Sequence, residues 1–351
     1  MFILTQFISS KGGGMQISNL LIGKYLRDIY KVPIVYLGNN KESKKYCNIY
    51  LNTFSSIFIT QLYYLFILIY SYIFKITIIS LDDGILRCAG FLPFTCENIV
   101  VINSGSLAIR SSKTFLGKLS IYLSRISTKL LKAHFISEST YDQLKLLNLT
   151  SKNSFILGRP CTKNVLYRTI FNLKPPIKFI TYGRLDNDKN IINLLNSFLE
   201  VSKCESIKLD IYGKGQLVQE VKSYSDLSSS INYLGEMDHF SLLDRLNEYD
   251  YFISISNNPN ETFGRSWIEA GSRGLPFIGS NIGNLPYLIK NDINGYISGI
   301  SVNDISLTLN KLIKNHLLSY KALSNNASRT SENYTNKNIF NQLKSSLDKI
   351  L

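Results

Sequence analysis

An apolar run of strand length, a short loop, a helix-period stretch and a second apolar run follow one another at the start of this chain, and the same succession restarts halfway along it. Residues 2–8 read as a buried strand that enters Ser9-Ser10-Lys11-Gly12-Gly13-Gly14. A helical pattern through Leu20, Leu21, Tyr25, Leu26 and Ile29 comes next, then Val32-Pro33 and the strand Ile34 to Leu37. Strand, loop, helix, strand folds as a right-handed βαβ unit with parallel strands. The second series begins at Lys178, after a segment of broken periodicity that runs from Leu157 to Pro176. Two α/β domains are therefore predicted, residues 1–168 and 169–335, with a final helix at about 336–351 packing back on the first. A chain of 351 residues is long enough to give each domain a core of its own.

Charge separates the halves. Residues 1–168 hold 20 basic and 7 acidic side chains, a net +13, whereas 169–351 hold 19 and 18, a net +1. An excess of that size in one half calls for an anionic partner, and a membrane surface or a phosphorylated lipid fits it. No nucleic-acid-binding motif accompanies the charge, so no nucleic-acid partner is expected. Five cysteines without a CxxC pair fit a reduced, cytosolic chain with no structural metal. The N-terminal MFILTQFI has no basic leader and is broken by Lys11, so it reads as a strand and not as a signal peptide.

Residues 57–74 are almost wholly apolar. Their length raises a membrane span, but the aromatic residues spread through them and Gln61 favour a helix packed on the sheet and in contact with lipid. Arg110, Lys113, Lys118, Arg125, Lys129 and Lys132 then interleave with apolar residues at helical spacing, and no acid separates them. This is either a helix lying on an anionic bilayer or an ordinary surface helix with a solvated basic face. Asp82-Asp83-Gly84 follows a strand at Ile76 to Leu81 and reads as a general base at a strand end or as a solvated turn.

In the second series the strand 178–182 enters Gly183-Arg184-Leu185-Asp186-Asn187-Asp188-Lys189-Asn190, so that Arg184 and Lys189 flank a turn at a strand mouth. Two cations there suit a diphosphate. Asp186-Asn187-Asp188, wedged between them, reads as a helix-capping turn and not as a metal site. Gly213-Lys214-Gly215 is a second close-approach loop, and His239 reads as a surface residue near a helix cap. The densest constellation is Asn260 to Pro276, NETFGRSWIEAGSRGLP. Glu261 is placed in a loop and Glu269 in a helix of about three turns closed by Gly271, Gly274 and Pro276. Backbone amides around Phe263, Gly264 and Arg265 at its start face outward for a phosphate. An ionised Glu accepts two hydrogen bonds side by side, which suits the vicinal hydroxyls of a sugar.

YGRLDNDKN, IYGKG, YLGEM, NETFGRSWIEAGSRGLP and DINGYI together resemble the family 4 glycosyltransferases of the GT-B fold, over most of residues 178–300. The resemblance implies two Rossmann-like domains with parallel sheets facing a central cleft, and a retaining, metal-independent enzyme that uses a nucleotide diphosphate sugar and no cofactor. It further implies that Glu269 holds the ribose and Glu261 the transferred sugar, with Arg184 and Lys189 on the diphosphate. Thr262, Phe263, Gly264, Gly183 and Gly213 would complete the donor site, and Gly13 and Gly14 would line the cleft. Many relatives carry a His where Asn103-Ser104 stands here, and Asp83 is the available substitute. The expected function is transfer of a hexose to a lipid-linked glycan acceptor in bacterial surface polysaccharide biosynthesis, O-antigen or capsule, by a cytoplasmic protein held peripherally on the inner face of the plasma membrane. A non-catalytic membrane-associated scaffold and a nucleotide-sugar epimerase on the same fold are the alternatives.

Overall fold

The computed structural model describes the chain except residues 7, 9–13, 55, 104–113, 172, 259, 260, 262 and 284, and the side chains of 139 and 140. The described residues divide into two compact units, Met1–Pro160 with Ile339–Leu351, and Cys161–Asn338.

In the first unit β1 (Phe2–Thr5), α1 (Gly14–Tyr30) and β2 (Ile34–Leu37) form the opening βαβ unit. Next come β3 (Ile49–Leu51), α2 (Ile57–Ile73), β4 (Ile78–Ser80), α3 (Ile85–Phe91) and β5 (Ile99–Asn103). The unit continues with α4 (Phe115–Leu130), β6 (Ala133–Ile136), α5 (Glu138–Leu146) and β7 (Ser154–Ile156). All pairings are parallel, in the order β3-β2-β1-β4-β5-β6-β7. Ile3 lies opposite Ile34 and Ile79, and β2 and β5 are buried along their whole length, as strands covered on both faces must be. On one face Tyr64, Ile67 and Leu68 of α2 and Ile85 and Leu86 of α3 pack over Leu4, Val35, Ile78, Ile99 and Val101. Ser56 caps α2 by accepting from the Ile59 amide at 3.3 Å, and Thr114 caps α4 by accepting from Gly117 at 3.0 Å. Near the C-terminus Phe340 stacks on Tyr25 with centroids 4.3 Å apart, and Tyr30 donates to Asp348 at 2.7 Å.

Residues 57–74 thus give a helix of 17 residues packed on the sheet. No helix among the described residues is long and apolar enough to cross a membrane.

The second unit is built on β8 (Ile177–Arg184), β9 (Ile207–Lys214), β10 (Ile231–Tyr233), β11 (Tyr251–Ser254), β12 (Phe277–Ser280) and β13 (Gly295–Ser298). Between and after them run α6 (Ile191–Val201), α7 (Val218–Leu227), α8 (His239–Arg245), α9 (Arg265–Gly271), α10 (Leu285–Leu288) and α11 (Val302–Glu332), and α12 (Asn336–Leu347) belongs from Ile339 onward to the first unit. The parallel order is β10-β9-β8-β11-β12-β13. Leu194, Leu195 and Phe198 of α6 cover Phe179, Leu209 and Ile253 on one face, while Trp267 and Ile268 of α9 cover Phe252 and Phe277 on the other. Arg168 fastens the segment before β8, donating to the carbonyls of Arg273 (2.8 Å) and Leu246 (3.1 Å) and to the Tyr320 hydroxyl (2.9 Å). β8 and β9 pair from Ile177 opposite Ile207 to Arg184 opposite Lys214, longer than the apolar runs alone. Gly183 faces Gly213 there, and a Cβ on Gly213, whose φ is +147°, would lie 1.9 Å from the Gly183 carbonyl oxygen. Only glycine lets the two strands end this close together.

Candidate active site

In the second sheet chain order reverses between β8 and β11, which opens a crevice at the carboxyl ends of those two strands. The loops that follow them carry the charged residues. β8 ends on Arg184, whose guanidinium is gripped by Asp186 and by Asp188, the latter at 2.8 Å. Asp186 also accepts from the Gln216 amide at 3.1 Å. The expected capping role of Asp186-Asn187-Asp188 is therefore corrected. A turn does form at Asn187–Lys189, but Asp186 makes no side-chain cap bond, because its carboxylate is taken up by Arg184. Burial works against the charge on Asp188, yet the hydrogen bonds from Arg184 and Asn258 outweigh it and hold this carboxyl below its usual range.

The two loops are tied to each other. The Asp188 carbonyl accepts from the Asn257 amide (3.1 Å) and the Ser256 hydroxyl (2.9 Å), and Asn258 donates to the Asp188 carboxylate at 3.2 Å. Beside these bonds the Lys189 ammonium forms an ion pair with Glu261, both side chains keeping partial exposure. Lys189, Glu261 and Arg184 thus come together at one strand mouth, from stretches about 70 residues apart.

Glu269 lies one loop further on, in α9. The helix has two turns, not three, because Gly271 closes it and Ser272 takes the C-cap. It begins at Gly264, whose φ is +63° and whose Cβ position is filled to 2.5 Å by the Trp267 ring. Glu269 is only 3% exposed. Its Oε1 accepts from Arg265 Nε (3.1 Å) and Nη2 (2.9 Å), and His239 Nε2 stands 3.4 Å away. Oε2 makes no hydrogen bond to a described residue. Arg265 is itself buried and also donates to the Cys161 carbonyl at 3.1 Å. Tyr182 donates to the Ser266 carbonyl at 2.9 Å, and burial, with Glu269 nearby, pushes its phenol well up. Phe263 is fully buried with its ring against Tyr334 at 4.8 Å, so its side chain anchors the loop. Arg265 and His239 are the residues that motif reading passed over. The i,i+4 spacing of Arg265 and Glu269 was a usable signal, whereas His239, read as a surface residue, reaches Glu269 only through the tertiary fold.

The first sheet has its own reversal, between β1 and β4. Asp82 sits there fully buried, accepting from the Tyr64 hydroxyl (2.6 Å) and the amides of Gln6 (3.0 Å) and Gly84 (3.1 Å). It is a structural anchor, not half of a solvated turn. Asp83 keeps partial exposure, and burial together with the neighbouring Asp82 pushes its carboxyl up to about 6. Gly14 is the exposed first residue of α1, while Gly13 and Thr262 lie outside the described residues. Asn103 is buried at the end of β5 and lines a small cavity with Asn19, Ser137 and Arg159. Among the described residues no group of three or more His, Cys, Asp or Glu is placed to hold a metal ion.

Comparison with known proteins places these features. The family "Glycosyl transferases group 1" matches residues 167–330. The GtfA subunit of a UDP-N-acetylglucosamine–peptide N-acetylglucosaminyltransferase from Streptococcus agalactiae is 31% identical over 135 residues, 38% of this chain and 26% of that protein. The O-antigen biosynthesis glycosyltransferase WbnH of Escherichia coli is 29% identical over 139 residues, 40% of this chain and 38% of its own length. The chain thus spans well under half of each of these relatives. The crystal structure of Anabaena Alr3699/HepE in complex with UDP superposes with a TM-score of 0.76 at 14% identity, covering 99% of this chain and 100% of that one. The chain has the GT-B fold, and its residues 167–330 are similar to the group 1 glycosyl transferases.

Proposed function

We propose that the chain is a retaining glycosyltransferase that moves a hexose from a nucleotide diphosphate sugar to a lipid-linked glycan at the inner face of a bacterial membrane, in O-antigen or capsule assembly. The observation that carries this reading is the meeting of Lys189, Glu261 and Arg184 at the switch point of the second sheet. Lys189 and Arg184 meet the charge that develops on the departing diphosphate, the task a metal performs in other transferases. As Lys189 turns to the phosphates it releases the Glu261 carboxylate to hydroxyls of the transferred sugar. Oε2 of Glu269 takes the ribose hydroxyls, with Arg265 fixing the carboxylate through Oε1. The backbone at Phe263, Gly264, Gly183 and Gly213 lines the donor. On the acceptor side Asp83, its carboxyl near 6, is poised to handle a proton. The names of WbnH and GtfA, one assigned to O-antigen biosynthesis and the other to a UDP-sugar, support the polysaccharide setting and the donor class.

Isothermal titration with UDP, GDP, ADP and CMP tests the donor site, with Lys189→Ala as the variant, since removing the buried Glu269 would disturb the fold as well. One nucleoside diphosphate is expected to bind, indifferent to chelator, and to bind roughly ten-fold more weakly to the variant. No binding by any of the four, or no sugar transfer from any nucleotide sugar to lipid-linked acceptors, would move the assignment to the scaffold reading.

A further inference from the structure

We propose that the first unit binds an anionic bilayer directly, with α2 lying in the interface and its outward face in the lipid. Along α2 the side chains Phe58, Leu62, Phe66, Ile69 and Ile73 fall at steps of four, four, three and four, which is one helix face. That face points away from the sheet that Tyr64, Ile67 and Leu68 cover, and it is open to solvent, Phe58 and Phe66 each being 71% exposed. A helix on the surface of a soluble protein carries polar residues there. This one has no charged side chain anywhere from Leu51 to Phe74. At 17 residues, about 25 Å long, it can lie along an interface but is not long enough to span one.

The same layer supplies the charge. α2 and α4 both pack on α3 and on the turn at Pro93–Asn98, where Phe94 meets Tyr72 edge to face at 4.7 Å. On α4 Phe115, Leu119 and Tyr122 are exposed at helical spacing, with the exposed Lys118 and Lys129 beside them. No acidic residue occurs from Asn98 to Ser137, while six basic ones do. An apolar face next to a layer with an excess of positive charge matches acyl chains beneath anionic headgroups. It argues against a second copy of the chain as the occupant, since pairing would set two basic surfaces against each other. The inference deepens the lipid-linked part of the proposed function, but vesicle binding requires no sugar transfer, so the two stand or fall separately.

The test is sedimentation of the full chain with vesicles of phosphatidylcholine alone and of phosphatidylcholine mixed with phosphatidylglycerol. Binding to the mixed vesicles is expected, weaker by at least about ten-fold on phosphatidylcholine alone and falling with salt. Phe58→Ser with Phe66→Ser should weaken it roughly 100-fold, and Lys118→Glu with Lys129→Glu at least about ten-fold. Phe66→Trp is a conservative second probe, because Trp267, the native tryptophan, is buried. Its emission should shift to the blue with phosphatidylglycerol vesicles and stay fixed with phosphatidylcholine. No sedimentation with either vesicle, binding unchanged in both double variants, or a solution dimer that Phe66→Ser dissociates would overturn the proposal.

Discussion

The two sheets of this chain are wound alike, each placing its first six strands in the order three, two, one, four, five, six, yet their switch points hold different chemistry. In the second unit the crevice between β8 and β11 gathers a guanidinium, an ammonium and several carboxylates, joined pair by pair. In the first unit the corresponding position between β1 and β4 is lined by Gln6, Tyr64 and an aspartate pair of which one member is locked into the fold. The outer surfaces differ as well. α6 of the second unit carries Asn193, Asn196 and Glu200 on its polar side, bonded to Ile300, Tyr224 and Ser306, whereas the exposed side of α2 in the first carries phenylalanine, leucine and isoleucine. One scaffold has thus been given two surfaces. The first unit keeps apolar and basic groups outside, and the second gathers paired charges at a strand mouth.

The sharpest test of that contrast is Glu269→Ala. It leaves Arg265 buried without its carboxylate, and loss of one partner of a buried pair costs about 3–5 kcal/mol. Urea unfolding should register that loss, and nucleotide binding should fall with it. A cost below about 1 kcal/mol would mean that the pair is solvated and that the second unit is less closely built than described. Lys189→Ala comes next, because it removes a cation from the strand mouth while leaving the core intact. Sugar transfer should drop roughly 10²–10³-fold in kcat/KM, with stability changed by no more than about 1 kcal/mol. Equal losses in stability and activity would make Lys189 a structural residue.

In the first unit the matching experiment is on Asp83. Its carboxyl is raised from 3.8 to about 6, so the folded state holds its proton to a higher pH than the unfolded chain does. The stability this residue contributes is present below about pH 4 and is lost as pH rises through 6. Asp83→Asn should therefore unfold with the wild type at pH 4 and be more stable than it at pH 7.5, by about 2 kcal/mol once partial exposure is allowed for. A variant less stable than wild type at pH 7.5 would show that the ionised carboxylate is held by partners.

How much of this was legible follows from how local each feature is. β2 at Ile34–Leu37 matches its apolar run residue for residue, since a strand buried on both faces leaves nothing else for such a run to be. The short edge strands β3 and β7 and the glycine-led β13 carry no such run and escaped. So did α11, whose 31 residues are polar enough to pass for loop. Arg184 with Asp186 and Asp188 is a contact within five residues, and Arg265 with Glu269 is one helical turn, so both were within reach of the sequence. Lys189 with Glu261 spans 72 residues and depends on β8 and β11 being neighbours, which the order of strands along the chain does not state. The burial of Asp82 under Tyr64 is of the same kind.

The smallest effect is expected at the outer face of α2, and its smallness is informative. Phe66 is large and apolar but lies in solvent, so Phe66→Ser removes little packing from the folded state and should change unfolding free energy by no more than about 0.5 kcal/mol. A buried phenylalanine such as Phe198 in α6 obeys the opposite rule, and its truncation costs about 3–5 kcal/mol. Chemical unfolding of the two variants side by side would separate a residue kept for the fold from one kept for something outside it. If Phe66→Ser cost as much as Phe198→Ala, the outer face of α2 would be part of a core. If the cost is near zero, stability gives no reason for phenylalanine at this position, and the reason lies in what the face meets.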